Sequence, residues 1–191
     1  MNILDIPIVA DAYEFAKMAH QSVINEDGTV GQKRKYTNEP YEIHPYEVAV
    51  MVSNSCHNDP VNVAVAVLHD VVEDTKYTLD DIHNHFISLG YDEEMVIDLV
   101  QGVREVTDVS QKSDGNRKVR KNIDKLHAWE ASPRRQTVKL ADIINNSSTI
   151  MTRDKGFAKV WGKEKADVVV GLTKGDPQLI KIAEKLVGGF R

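Results

Sequence analysis

Apolar residues recur along the chain at three- and four-residue intervals almost throughout, the period of an α-helix with one buried face. In DAYEFAKMAHQSV, Ala12, Phe15, Ala16 and Ala19 fall at i, i+3, i+4 and i+7, predicting an amphipathic helix that begins near Asp11. The polar, glycine-bearing INEDGTVGQKRKYTNEP predicts a loop. HPYEVAVMVSNSC opens a second helix with Pro45 in its first turn. In DPVNVAVAVLHDVVED, capped by Asp59-Pro60, apolar side chains wrap most of the circumference, which marks this helix as the central one.

Thr78 and Asp81 spell a capping box that opens TLDDIHNHFISLG, and Gly90 closes it. DEEMVIDLVQGVREV carries its acids in the first turn, where the helix dipole favours them. TDVSQKSDGNRK then predicts a mobile loop before a basic helical segment from Lys118 to Trp129. Ser132-Pro133 begins SPRRQTVKLADIINNSSTIM, and two more helices are expected over Phe157–Leu172 and Pro177–Val187. The sequence contains no internal repeat and no convincing strand alternation. The expectation is therefore a single all-α domain over residues 1–191, built of roughly eight to ten helices.

Composition narrows the function little. A chain of 191 residues with 41% hydrophobic and 28% charged side chains is long enough to bury a core and ordinary for a globular protein. The net charge of −5 argues against a general nucleic-acid coat, while a local basic patch could still bind phosphate. The single cysteine, Cys56, cannot form an internal disulfide, which fits a reducing compartment. MNILDIPIVADAYEF has no basic leader, and no apolar run approaches the roughly 20 residues that span a bilayer, so a cytoplasmic protein without membrane or nucleic-acid partners is expected. Nothing in the sequence speaks to oligomeric state.

The chemistry concentrates in VLHDVVEDT, where His69-Asp70 and Glu73-Asp74 interrupt an otherwise buried run. Burying ionised carboxylates costs several kcal/mol each unless they are paired or bound to a cation. His44, in YEIHPYE, and Asp142, in VKLADIINN, are similarly out of place. Alone, His44 is a capping residue and Asp142 a partner for Lys139 or an arginine. Together, His44, His69, Asp70 and Asp142 offer a mixed nitrogen and oxygen set suited to Mn(II), Fe(II) or Zn(II) rather than to calcium. Because adjacent residues point about 100° apart on a helix, His69 and Asp70 can share an ion only at or near a helix end or in a tight pocket.

In their order along the chain, YEIHP (Tyr41–Pro45), LHDVVEDT (Leu68–Thr75) and KLADIINN (Lys139–Asn146) resemble the HD-domain metal-dependent phosphohydrolases. Within them the likeness is to the RelA/SpoT-type hydrolases of the guanosine alarmones ppGpp and pppGpp. FAKMAH (Phe15–His20) and KRKYTNEPY resemble that family's first helix and substrate loop. The resemblance implies an HD-domain helical bundle, a nucleotide as small-molecule substrate, and one divalent ion, Mn(II), held by His44, His69, Asp70 and Asp142. It implies that Glu73 and Asp74 are the catalytic acids, that Asn146 and Thr149 line the nucleotide pocket, and that Arg34, Lys35 and Thr37 lie in the loop that contacts substrate. The implied activity is hydrolysis of the alarmone 3′-diphosphate to GDP or GTP and pyrophosphate.

Physical chemistry agrees with these roles. A divalent ion makes hydroxide available near neutral pH and neutralises phosphate oxygens. The helix dipole disfavours an acidic pair at a helix C-terminus, which favours a functional reason for Glu73 and Asp74 over plain solvation. Lys33-Arg34-Lys35 reads either as a charged loop tip or as a phosphate contact, whereas Arg117, Lys118, Arg120 and Lys121 read as a solvated helix face. His20, His57, His83, His85 and His127 have no partner pattern, although His20 falls on a family motif. The stretch from His20 to His44 is longer than in the family. With the chain stopping soon after Val187, the synthetase and regulatory domains of the long bifunctional enzymes are expected to be absent. The competing readings are another HD-type nucleotide phosphohydrolase, acting on NADPH or deoxynucleotides, and a nucleotide sensor that has lost turnover.

Overall fold

The structure, a computed structural model, describes residues 2–190. Ten α-helices account for nearly all regular structure among them: α1 (Pro7–Gln21), α2 (Ile43–Ser53), α3 (Pro60–Leu68), α4 (Val71–Asp74), α5 (Leu79–Ser88), α6 (Glu93–Val106), α7 (Arg117–Glu130), α8 (Pro133–Arg153), α9 (Lys155–Val169) and α10 (Pro177–Val187). Three 3-10 turns, Ile3–Asp5, Lys112–Asp114 and Gly188–Phe190, and two isolated antiparallel bridges, Ile24 with Val30 and Lys33 with Pro40, make up the rest among the described residues. The fold is all-α, as the periodicity predicts. Among the described residues no helix is long and apolar enough to cross a membrane.

The helix from Asp59 is central, as expected: Asn62 through Leu68 are all buried, and α3 packs on α1, α2, α6 and α8. Its start is fixed by the Asp59 carboxylate, which accepts from the Asn62 N–H at 3.0 Å. Arg135 of α8, only 2% exposed, donates to Asn62 Oδ1 at 2.7 Å and to Asp98 Oδ1 at 2.6 Å, tying α8 to α3 and α6. An otherwise costly buried charge is thereby both paired and hydrogen-bonded. The Thr78 capping box forms as predicted, with Asp81 N donating to the Thr78 hydroxyl and Thr78 N to the Asp81 carboxylate. Gly90 closes α5 with φ near +85°, a backbone conformation open to glycine.

Two expectations need correction. The first helix begins at Pro7 rather than near Asp11, because Pro7 suits a first helical turn and Ile8 and Val9 add buried positions to the same face. The helix read as continuous from Asp59 to Asp74 breaks after Leu68. His69 and Asp70 form a turn, and α4 restarts at Val71. Both residues keep right-handed helical backbone angles through the break, and the pair sits at a helix end, the position at which adjacent residues can share an ion. The segment TDVSQKSDGNRK is tied down at its start, where Asp108 accepts from Lys121 at 2.7 Å and the N–H and hydroxyl of Ser110 donate to Asp124 at 2.9 and 3.0 Å, and is exposed from Gln111 to Val119. It also contains a 3-10 turn, Lys112–Asp114.

Candidate metal centre and its flanking pockets

Three remote segments bring four side chains together. His44 comes from the first turn of α2, His69 and Asp70 from the turn between α3 and α4, and Asp142 from the middle of α8. His44 Nε2 lies 3.2 Å from Asp142 Oδ1 and 3.4 Å from Asp70 Oδ2. His69 Nε2 lies 3.1 Å from Asp70 Oδ2 and 3.7 Å from Asp142 Oδ1. Both imidazoles are buried, whereas the two carboxylates keep 17% and 14% of their side-chain surface exposed, so the cluster opens outward on its acidic side.

The tautomers follow from the far side of each ring. His69 Nδ1 sits 2.8 Å from the Ala66 carbonyl, which can only accept, so Nδ1 carries the proton. His44 Nδ1 sits 2.7 Å from Asn145 Oδ1. That oxygen is assigned as the acceptor because the Asn145 amide nitrogen donates to Glu47 at 2.7 Å and Arg34 donates to the oxygen at 3.4 Å. In the neutral rings both Nε2 atoms therefore present lone pairs to the centre, and both are buried without a hydrogen bond. Their contacts with the carboxylates are close but not aligned as hydrogen bonds. Two donors each about 2.1 Å from a shared ion lie about 3–3.5 Å apart. The cluster matches that spacing, and its donors are the types that divalent transition ions take.

The site's electrostatics point the same way. Burial pushes the Asp142 and Asp70 carboxyls up, but His44 and His69 outweigh it and hold both well below the usual carboxylate range. Burial opposes a charge on each imidazole, yet the two carboxylates win and raise both above the usual value. Positive charge is what this pocket lacks.

Beyond the four donors, the two acids of the Glu73-Asp74 pair engage different partners. Glu73 turns toward the chain after α6, where its Oε1 accepts from the Asp108 N–H at 2.5 Å. Asp74 turns the other way and accepts from Gln32 Nε2 at 2.8 Å. Glu73 keeps an exposed flank, but the protein crowded around it disfavours the charged form. Lys139 pulls in the opposite direction and Asp108 and Asp70 add to the rise, leaving the carboxyl at about 7. Asp74 is raised as well, by burial first and then by Asp70.

The expected substrate residues gather in a neighbouring pocket of about 400 Å³, lined by Arg34, Lys35, Thr37, Asn146 and Thr149 together with Phe157. Arg34 donates to Asn146 Oδ1 at 3.1 Å, and the Asn146 amide donates to Asp142 Oδ1 at 2.6 Å, joining pocket to centre. Lys35 lies over the rings of Tyr36 and Phe157. The Thr37 hydroxyl is buried without a hydrogen bond.

Several contributors escaped the sequence reading. The Tyr41 hydroxyl donates to Asp70 Oδ2 at 2.7 Å. Asn145 fixes His44, and His20 Nδ1 contacts Gln32 Oε1 at 2.7 Å. Tyr41 and Asn145 lay inside or beside the quoted motifs, but nothing in their spacing distinguishes a residue that orients a ligand from one that packs.

The HD-domain family profile matches residues 12–171. The chain belongs to the HD-domain family. It is 32% identical over 161 residues, 84% of its length, to a guanosine-3′,5′-bis(diphosphate) 3′-pyrophosphohydrolase of Aquifex aeolicus. It is also 32% identical over 140 residues, 73% of its length, to a GTP pyrophosphokinase of Streptomyces coelicolor. These matches cover 20% and 14% of the two relatives, so the chain spans about a fifth or less of their length. A solved structure of a metazoan orthologue of SpoT, described as hydrolysing ppGpp and playing a role in starvation responses, superposes with a TM-score of 0.74 at 25% identity. That likeness covers 96% of this chain and 95% of the other. As an HD domain carrying this cluster, the protein is a divalent-metal-binding fold.

Proposed function

We propose that the protein hydrolyses the 3′-diphosphate of guanosine alarmones, ppGpp or pppGpp, to GDP or GTP and pyrophosphate, as a cytoplasmic enzyme with one Mn(II). The observation that carries the reading is the pair of buried, unpartnered Nε2 atoms of His44 and His69 facing Asp70 and Asp142 beside a nucleotide-sized pocket. The end-to-end likeness to a structure described as hydrolysing ppGpp supports the choice of substrate.

His44, His69, Asp70 and Asp142 would hold the cation, which supplies Lewis acidity toward phosphate oxygens and acidifies water. The chain's own groups do the rest. Tyr41 donates to Asp70 and Asn146 to Asp142, fixing the carboxylates that face the reacting phosphate. Glu73, with its carboxyl at about 7, is divided between its two protonation states near neutrality. It can therefore take a proton from attacking water and give one up again. Water oxygen bonds to the phosphorus on the ribose 3′ oxygen, the P–O3′ bond breaks with its electron pair on that oxygen, and the proton removed from water goes there. Asp74, held by Gln32, orients the water. Arg34 and Lys35 supply cationic contacts, and Asn146 and Thr149 the polar wall, for the nucleoside portion.

Incubating manganese-loaded protein separately with ppGpp, NADPH and deoxynucleoside monophosphates, and identifying products by ion-exchange chromatography, tests the reading. Pyrophosphate and GDP from ppGpp are expected. Phosphate from NADPH or from deoxynucleotides alone would replace the substrate, and tight ppGpp binding without turnover would make the protein a sensor.

A further inference from the structure

A second, larger cavity of about 860 Å³ lies between α7, α8 and α9, and none of the roles assigned above uses it. Its place along α8 is informative. Lys139, Asp142 and Ile143 line this cavity, while Asn146, Thr149 and Ile150 line the nucleotide pocket. The two spaces therefore follow one another along a single helix, with the metal-facing Asp142 at their junction. From Lys139 to Ile150 the helix rises ~16 Å. A nucleoside seated in one space reaches into the other only through a group projecting past Asp142.

The wall beyond that junction is cationic. Six basic side chains line the cavity against five acidic ones, and one of the five is Asp142 itself. Lys121 and Lys139 converge on the Asp108 carboxylate at 2.7 and 3.4 Å, and Lys165 lines the same space. These lysines, with Lys165 acting on it too, hold Asp108 well below the usual carboxylate range despite its burial. Asp124 is engaged by Lys121 and Ser110, and Glu164 by a two-pronged contact with Arg117 at 2.8 Å that joins α7 to α9; Asp167 is the remaining acid. Ile143 and Trp161 add apolar surface to the lining, which strengthens any ammonium–anion attraction in the cavity. Arg117 and Lys118 are exposed, as a solvated helix face predicts, and with the half-buried Lys121 they also line this cavity.

We infer that this chamber is the subsite for the outer phosphate of the 3′-diphosphate, and that it holds pyrophosphate once the P–O3′ bond has broken. The inference rests on the alarmone reading and adds a polarity to it: nucleoside on the Asn146 side of Asp142, departing diphosphate on the Lys139 side. Ammonium groups fanned around an anion suit a diphosphate, whose oxygens accept from several directions. The Asp108 carboxylate, already held by Lys121 and Lys139, shows that these ammonium groups converge on an anion.

The test is product inhibition by inorganic pyrophosphate compared with GDP. Lys165→Met and, separately, Lys118→Met are expected to weaken inhibition by pyrophosphate about tenfold, the worth of one charge-assisted contact, while inhibition by GDP and the unfolding midpoint stay unchanged. Unchanged pyrophosphate inhibition in both variants, or equal weakening toward pyrophosphate and GDP, would overturn the assignment. Calorimetric titration of pyrophosphate into metal-free wild type and Lys165→Met separates the two readings. If wild type leaves ppGpp intact but binds pyrophosphate in a Lys165-dependent way, the chamber stands and the substrate is wrong. If ppGpp is cleaved but pyrophosphate binding ignores Lys165, the chamber assignment falls alone.

Discussion

His44 Nδ1 stands 2.7 Å from Asn145 Oδ1, and through that contact the nitrogen left facing Asp70 and Asp142 is Nε2. The amide is itself steered by Glu47, which accepts from its nitrogen at 2.7 Å. Partners that hold a ligand histidine by its far nitrogen commonly contribute 10–100-fold to metal affinity. Asn145→Ala is therefore expected to weaken Mn(II) binding about 10–100-fold with the helical signal retained. Titration followed by manganese electron paramagnetic resonance, alongside circular dichroism, measures both. Wild-type affinity in the variant would remove Asn145 from the site.

The position of Glu73 sets the pH response. With its carboxyl pushed up to about 7 by burial, a base role requires the deprotonated form, so kcat falls as pH drops through and below 7. A bound cation would move that limb downward by favouring the carboxylate. Asp108→Asn moves it the same way, because a nearby negative charge that raises Glu73 is removed. Lys139→Met moves it upward by removing a positive one. Glu73→Gln should lose about 10²–10⁴ in kcat with substrate binding kept. Rate profiles from pH 5 to 9 check the signs, and limbs that ignore both variants would exclude Glu73 as the titrating group.

How much of this was legible in the sequence depends on the kind of contact. The apolar wrap of Asn62–Leu68, the Thr78 cap and the helical period are local patterns, and each element they predict is present. His44, His69, Asp70 and Asp142 were legible because buried polar residues in apolar runs need an explanation. The turn at His69-Asp70 was legible only as an alternative, since local propensity favours continuing the helix through Val71 and Val72. The chamber was not legible at all. Periodicity shows that Arg117, Lys118 and Lys121 avoid the apolar face of α7, but not that α9 stands opposite them. Asp108 likewise reaches Glu73 across 35 residues of sequence.

Removing the cation has a stability consequence. Folding gathers two carboxylates and two imidazoles that face one another, and a bound ion adds stability to the native state alone. At a free metal concentration of about 100 times Kd the gain is about 2.7 kcal/mol. Chelation should lower the unfolding midpoint, and Mn(II) should restore it. In Asp142→Asn the metal-dependent part of the shift should vanish. A midpoint indifferent to chelator and to manganese in carefully stripped wild-type protein would refute the metal centre irrespective of any activity.

His20, Gln32 and Asp74 form a line of contacts that predicts a role for two residues outside the ligand set. His20 is 1% exposed, its Nδ1 lies 2.7 Å from Gln32 Oε1, and Gln32 Nε2 donates to Asp74 at 2.8 Å. Because the amide donates to Asp74, its oxygen faces His20 as acceptor, and the imidazole fixes which way Gln32 points. Burial lowers the His20 pKa, so the ring stays neutral and donates only through Nδ1. Gln32→Leu removes the donor to Asp74 with little change in volume. It should lower kcat about tenfold, as expected when one hydrogen bond is lost, with KM and Mn(II) affinity near wild type. His20→Asn keeps a donor near Gln32 and should retain more activity than His20→Ala. If both His20 variants lose activity equally, or if Gln32→Leu raises KM while leaving kcat intact, Gln32 acts on substrate binding and not on the orientation of Asp74.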